Sequence, residues 1–261
     1  MPGLPIRWRR LSGPERACLG VLALTLAAWT LMPVITQDPA YHRFADQRDL
    51  LGIPRAADVL SNIAFLLAGL AGITRLASRR RARFSTATEA GLWCIALGFI
   101  GTGVGSAWYH LEPNDATLGW DRLPMTLVFA GVLGAAIAQR VGANFAWISL
   151  CFLIPLGIAS VAYWRLAGDL SLYVTLQFGG LAALPVLLVA SRRRDDPFPW
   201  WWIIGAYALA KLFEAADQTI WEATNGMIAG HALKHLAAAA AGIAAFRPLR
   251  AAAADARRQL R

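Results

Sequence analysis

Long apolar stretches separated by short polar segments dominate the pattern of hydrophobic and polar positions along this chain. Eight of these stretches approach the roughly 20 apolar residues that a helix needs to cross a bilayer. They lie near 17–36, 57–76, 89–109, 122–139, 144–164, 170–190, 200–221 and 230–247. The alternation of polar and apolar residues that is typical of transmembrane strands is absent, so the pattern predicts transmembrane helices and disfavours a β-barrel.

Composition supports a membrane environment for most of the chain. Hydrophobic residues make up 57% of the 261 positions, charged residues make up only 16%, and there are eleven tryptophans. This balance is too apolar for an ordinary soluble domain. The predicted connections are mostly short and leave no room for a separate soluble domain. We therefore expect an all-α integral membrane protein.

Arginine positions predict how the eight segments are oriented, because short cytoplasmic loops retain Lys and Arg. One set of segment ends is rich in arginine: Arg7, Arg9, Arg10, Arg16, Arg75, Arg79, Arg80, Arg81, Arg83, Arg140, Arg192, Arg193, Arg194, Arg247, Arg250, Arg257, Arg258 and Arg261. The opposite ends hold few arginines among many acidic residues. Eight spans with both termini cytoplasmic fit this asymmetry, and the net charge of +9 then reflects topology and requires no nucleic-acid partner.

The first apolar segment and the cysteines bear on processing and on disulfide or metal binding. Basic residues before the first apolar run also fit a signal peptide, but the run is long and no clear small-x-small cleavage site follows it. The three cysteines, Cys18, Cys94 and Cys151, all fall inside predicted spans. Their number is odd, so neither a disulfide framework nor a cysteine metal site is predicted.

Histidines form the first candidate functional feature. The chain has four, and His110, His231 and His235 fall at segment ends that are predicted to lie on the same outer side. His231 and His235 are four residues apart, so their imidazoles share one helix face. Catalytic zinc sites commonly use three protein ligands and leave a fourth position to water. The alternative is that the H-x-x-x-H pair only hydrogen-bonds within a helix bundle.

Two further residues lie near the histidines in the predicted topology. Ser106 precedes His110 by four residues, and Asp121 opens the next segment on the same side. A carboxylate near zinc can accept a proton from water, and a hydroxyl can donate to a developing oxyanion. Ser106 could instead be a small packing residue in "GTGVGSA", and Asp121 could be an N-cap.

Charged residues in the seventh segment suggest a supporting network. Lys211, Glu214 and Asp217 lie on one helix face, and Lys234 between the two histidines is a candidate partner for the acidic groups. Our hypothesis is that Glu214 or Asp217 receives the second N–H of a zinc-bound imidazole. A buried ion network without a catalytic purpose is the alternative.

The ordered set "SAWYH", Asp121 and "HALKH" resembles the alkaline ceramidases and their bacterial relatives, the alkaline phytoceramidases. These belong to a superfamily of seven-helix membrane hydrolases and receptors that includes the adiponectin and progestin receptors. The opening "DVLSNIAF", with Ser61 and Asn62, is similar to the start of that family's first core helix. The resemblance implies a membrane anchor helix and outer loop over 1–54, a seven-helix core over 55–250, and a basic cytoplasmic tail over 251–261.

The same resemblance implies a function and a site. His110, His231 and His235 would bind zinc, with Ser106 and Asp121 beside the activated water. The protein would cleave the amide bond of ceramide or a related N-acyl lipid, with esters as a further substrate class, from the periplasmic side of a bacterial inner membrane. A receptor-like member that binds lipid without turnover is the alternative. Arg55 stands near the place of a calcium-binding glutamate in animal members, so a calcium requirement is not expected.

Overall fold

The computed structural model describes residues 11–78, 84–191 and 196–249. Several of the arginines that predict orientation, and the tail over 251–261, lie outside the described residues. Eleven helical elements occur in the described part, one of them a short 3-10 helix, Pro39–His42, in the outer loop. The α-helices are α1 Gly13–Leu31, α2 Ala56–Ser61, α3 Ile63–Ala77, α4 Thr86–Leu111, α5 Asp115–Arg140, α6 Ala143–Ala167, α7 Ser171–Ala190, α8 Trp200–Ala215, α9 Asp217–Ala223 and α10 Gly230–Ala245.

The all-α prediction is confirmed for the described residues, which contain no strand. Five stretches are helices long and apolar enough to cross a membrane: Ala56–Ala77, Thr86–Leu111, Asp115–Arg140, Ala143–Ala167 and Ser171–Ala190. The other three predicted segments are also helical but shorter or more polar. The first turn of α1 carries charged residues, and α8 and α10 have 16 residues each.

Helix packing brings the C-terminal α10 back to the start of the bundle. The consecutive helices α3 to α7 pack on one another, and α10 packs against both α8 and α3. Within the described residues the backbones of α7 and α8 lie apart, although Gln177 Nε2 donates to the Tyr207 hydroxyl at 2.6 Å. Helix α1 packs on α7. The first turns of α10 lie close to α2 and to the C-terminal end of α8.

The loop between α1 and α2 folds back over the outer helix ends. The backbone N–H of Ile35 donates to Asp169 Oδ1 at 3.1 Å, and the N–H of Leu170 donates to the Ile35 carbonyl at 2.8 Å. Further along, Arg48 Nη2 donates to the Met227 carbonyl at 3.1 Å. These bonds tie the loop to both sides of the bundle, so it covers the surface above α4, α5 and α10.

Candidate metal centre

Three histidines from two helices meet beneath the outer loop. His110 lies in the last turn of α4, while His231 and His235 lie in the first two turns of α10. One ring nitrogen from each residue lies within 4.8 Å of the others, and all three side chains are buried. The predicted convergence of His110 with the H-x-x-x-H pair is confirmed, and the cluster could hold a metal ion.

His110 gives the strongest indication that a ligand belongs in this cluster. It is fully buried, and neither of its ring nitrogens has a hydrogen-bond partner in the described structure. A buried polar group without a partner is costly, and a metal ion is one group that satisfies an imidazole nitrogen in this setting. The donor set of three buried histidines therefore fits a metal such as zinc.

His235 is oriented by Ser61, a residue to which the sequence alone gives no role. Ser61 Oγ donates to the Asp58 carbonyl at 3.0 Å and lies 2.8 Å from His235 Nδ1. Because the hydroxyl proton is used on Asp58, the serine oxygen is free to accept the Nδ1–H of His235. That arrangement leaves the Nε2 lone pair for the cluster and fixes the ring orientation.

Close packing at the start of α10 places His231. A Cβ on Gly230 would lie 2.3 Å from the carbonyl oxygen of Phe213 on α8, so only glycine fits there. The next backbone N–H, that of His231, donates to Asp217 Oδ1 at 2.7 Å. The start of α10 is thus locked against α8 and α9, which limits the directions that His231 can take.

Ser106 and Asp121 both face a small polar cavity beside His235. Both are buried, and the Ser106 hydroxyl interacts with the Asp121 carboxylate. Gly105 allows α4 to pack closely on α5 at this level, because an added Cβ would lie 2.1 Å from the Trp120 carbonyl oxygen. Asp121 is not an N-cap either, since α5 begins six residues earlier with Asn114 as its cap. The N-cap alternative for Asp121 is therefore wrong, while the packing alternative for Ser106 stays open.

The charged residues of α8 form an ion network that reaches the cluster. Glu214 accepts from Lys211 on its own helix, and it accepts from Lys234 on α10 at 2.7 Å between Nζ and Oε1. Tyr41 from the outer loop also donates to Glu214 Oε1, at 3.1 Å. The pairing of Lys234 with an acidic residue of α8 is therefore confirmed.

The expected bond from an imidazole to Glu214 or Asp217 is not found among the described hydrogen bonds. Glu214 is already occupied by two lysines and a tyrosine. Asp217 bonds only to backbone, through Oδ1 to His231 and through Oδ2 to Ala45 at 3.0 Å. Both carboxylates therefore hold neighbouring elements in place and do not orient a histidine ring directly.

The loop between α1 and α2 covers the histidine cluster. Phe44 is buried, and its ring centroid lies 4.5 Å from that of His110 and 4.7 Å from that of His231. Two residues further on, Asp46 bonds to the backbone and guanidinium of Arg48. Burial opposes the charge of Asp46, but these hydrogen bonds outweigh it and lower the pKa of the carboxyl.

Arg55 fastens the end of the helix that carries His110. Its backbone lies in the left-handed region with φ of 49°, and its Nε donates to the His110 carbonyl at 2.7 Å. Its Nη2 donates to the Leu111 carbonyl at 2.9 Å. A guanidinium on these terminal carbonyls satisfies acceptors that the helix itself leaves open and complements the helix dipole.

Replacement of Arg55 by methionine is expected to weaken metal binding at the three histidines, measured with zinc as the probe, about tenfold, because loss of a group that supports a ligand typically costs 10–100-fold in metal affinity. Competition with a chelator measures this change. Arg43→Ala, at an exposed arginine of the same loop with no described side-chain bond, is the control and should bind zinc as the unaltered protein does. Equal affinities for both variants would contradict the role given to Arg55.

An apolar cavity continues from the polar one into the bundle. The polar cavity is lined by Ser106, Asp121, Lys234 and His235 among others. The apolar cavity has a volume of about 120 Å³ and lies between α4, α5, α7, α8 and α10. The two share lining residues: Phe65, Thr102, Met125, Gln177, Tyr207 and Ala238.

No protein-family model matches the chain, and no curated protein matches it either. The interpretation of the site therefore depends on the residues and their geometry.

Proposed function

We propose that this protein is a zinc-dependent intramembrane hydrolase that cleaves the amide bond of ceramide or a related N-acyl lipid. The products are a fatty acid and a long-chain amine. The observation that carries this proposal is a cluster of three buried histidines, one of which, His235, lines a cavity together with Ser106 and Asp121, next to a second, apolar cavity. A receptor that only binds lipid has no need of a carboxylate and a hydroxyl beside its metal.

His110, His231 and His235 would hold the metal. Zinc bound there supplies a Lewis acid that polarises a carbonyl and makes a nearby water more acidic. Asp121 faces the same cavity and would take the proton of the attacking water. Ser106 would donate to the carbonyl oxygen as negative charge develops on it. Asp121 would then pass its proton to the departing amine.

The apolar cavity suits an acyl chain. Its walls are aromatic and aliphatic side chains such as Phe99, Val128, Phe129 and Leu181. It reaches α7 and α8, whose backbones lie apart although Gln177 Nε2 donates to the Tyr207 hydroxyl at 2.6 Å, so a lipid would enter sideways between these helices without leaving the bilayer. Closure of the aqueous side by Phe44 favours the same route.

The topology belongs to the same proposal. We take α2 and α3 together, α4, α5, α6, α7, α8 and α10 as seven membrane-crossing helices, with α1 as an additional N-terminal one. Both termini would be cytoplasmic, and the metal centre would face the periplasmic side of a bacterial inner membrane. Zinc loading and lipid access then occur from different directions.

A substrate panel tests this function. Protein purified in detergent is incubated with ceramides, other N-acyl lipids and lipid esters, and released fatty acid is measured. We expect release from at least one amide lipid and none after zinc is removed. Stoichiometric zinc with lipid binding but no turnover on any panel member would contradict the hydrolase proposal and favour the receptor-like alternative.

A further inference from the structure

Lys234 places a positive charge directly beside the proposed ligands. Its Nζ lies 3.2 Å from Nε2 of His231 and 2.7 Å from Glu214 Oε1. The side chain is only 14% exposed and lines the polar cavity with Ser106 and Asp121. An ammonium only donates, so in this contact Nε2 of His231 is the acceptor; a metal-bound His231 would have no lone pair to offer, and the ammonium would then donate to another acceptor in the cavity.

Two carboxylates of the described residues offset the charge of Lys234: Glu214, which it contacts, and Asp121, which lines the same cavity. Glu214 is the described carboxylate that Lys234 contacts, and Glu214 also bonds to Lys211 and Tyr41. One carboxylate is therefore shared by two lysines. A dication held by the histidines would repel Lys234 further, since repulsion is strong where water is scarce. Negative charge that develops on a group within reach of the Lys234 ammonium would be stabilised by it.

Amide hydrolysis moves negative charge within this cavity, from the Asp121 carboxylate to the substrate carbonyl oxygen. Water oxygen bonds to the carbonyl carbon, the π electron pair of the carbonyl moves onto its oxygen, and the water proton passes to Asp121. The electron pair on the oxygen then re-forms the carbonyl double bond as the carbon–nitrogen bond breaks. The nitrogen leaves with the pair of the broken bond and takes the proton from Asp121. The acid and the free amine result. The oxygen is most negative between these two events, when a preorganised donor has its largest effect.

We propose that Lys234 is a catalytic residue that donates a hydrogen bond to the substrate carbonyl oxygen as it becomes negative, with Glu214 as the positioning residue that aims the ammonium. This inference rests on the proposed hydrolase function. Ser106 and Lys234 then approach the oxygen from different helices, α4 and α10. Lys211 also lines this cavity and shares Glu214, but it has no described bond to a histidine, so we give it no such role.

Lys234→Met and its control Lys211→Met test the proposal. In Lys234→Met we expect kcat on the preferred amide to fall about 100-fold, as for loss of one oxyanion donor, with KM nearly unchanged. Zinc affinity, measured by chelator competition without substrate, should be at least as high as in the unaltered protein because a repelling charge is gone. Lys211→Met should keep kcat within about fivefold.

Three results would overturn the assignment of Lys234. The first is a kcat within about threefold of the unaltered protein, and the second is a joint loss of zinc affinity and turnover, which indicates a structural role. The third is an equal loss of kcat in Lys211→Met. An unaltered protein that binds zinc but hydrolyses no amide contradicts the proposed function itself, so the two failures are distinguishable.

Discussion

Asp121→Asn is expected to bind zinc normally and to lose about 1,000-fold in turnover, the middle of the range for loss of a general base. Asparagine has nearly the same shape as aspartate, so the close contact of α4 with α5 at Gly105 should persist. The amide can still meet the Ser106 hydroxyl, but it cannot accept a proton from water. Zinc content and fatty-acid release, measured on the same preparation, separate these two effects.

Asp115→Asn is the matched control on the same helix. Asp115 lies at the outer end of α5 with its side chain 53% exposed, and it contacts His42 instead of the metal cluster. Turnover of this variant should stay close to that of the unaltered protein. If Asp121→Asn and Asp115→Asn lost activity equally, Asp121 would not be the base.

His110→Ala should lose both zinc and activity. A direct ligand contributes more to metal affinity than the residues that orient it. We therefore expect zinc affinity to fall by more than the roughly 10–100-fold that is typical when a supporting residue is lost. The change also removes two buried nitrogens that have no partner, so the fold should tolerate it. Metal analysis after dialysis measures the loss.

His42→Ala provides the matched histidine control. His42 bonds to the Tyr109 hydroxyl at 2.9 Å and to Asp115 at 3.2 Å, outside the cluster. We expect it to retain stoichiometric zinc. Zinc retained in His110→Ala at the level of His42→Ala would contradict the three-histidine centre.

The site could be predicted in large part because its residues are unusual in apolar surroundings. Ionisable side chains are costly inside a membrane, so His110, the H-x-x-x-H pair and Asp121 stand out in segments that otherwise need none. Helical spacing alone places His231 and His235 on one face. The convergence of α4 with α10, by contrast, depends on tertiary packing, and the structure supplies it.

Other parts of the site carry no sequence signal of this kind. Ser61 contacts a ring nitrogen of His235, and Arg55 donates to the backbone carbonyls at the end of α4. Both contacts depend on tertiary packing, which the sequence pattern does not reveal. Nothing in the sequence marks Phe44 as part of the site; its contact with His110 arises because the loop folds over the histidines. Similarly, the break at Ala216 between α8 and α9 interrupts a run that hydropathy predicts as one span.

Restoration of activity by zinc tests the central claim most directly. Fatty-acid release from an N-acyl lipid is measured on protein as purified, after removal of metal by a chelator, and after titration with zinc. The account predicts that release disappears with the metal and returns in full at one zinc per chain. Release that persists without metal, or protein that binds no metal when prepared without chelators, would contradict it.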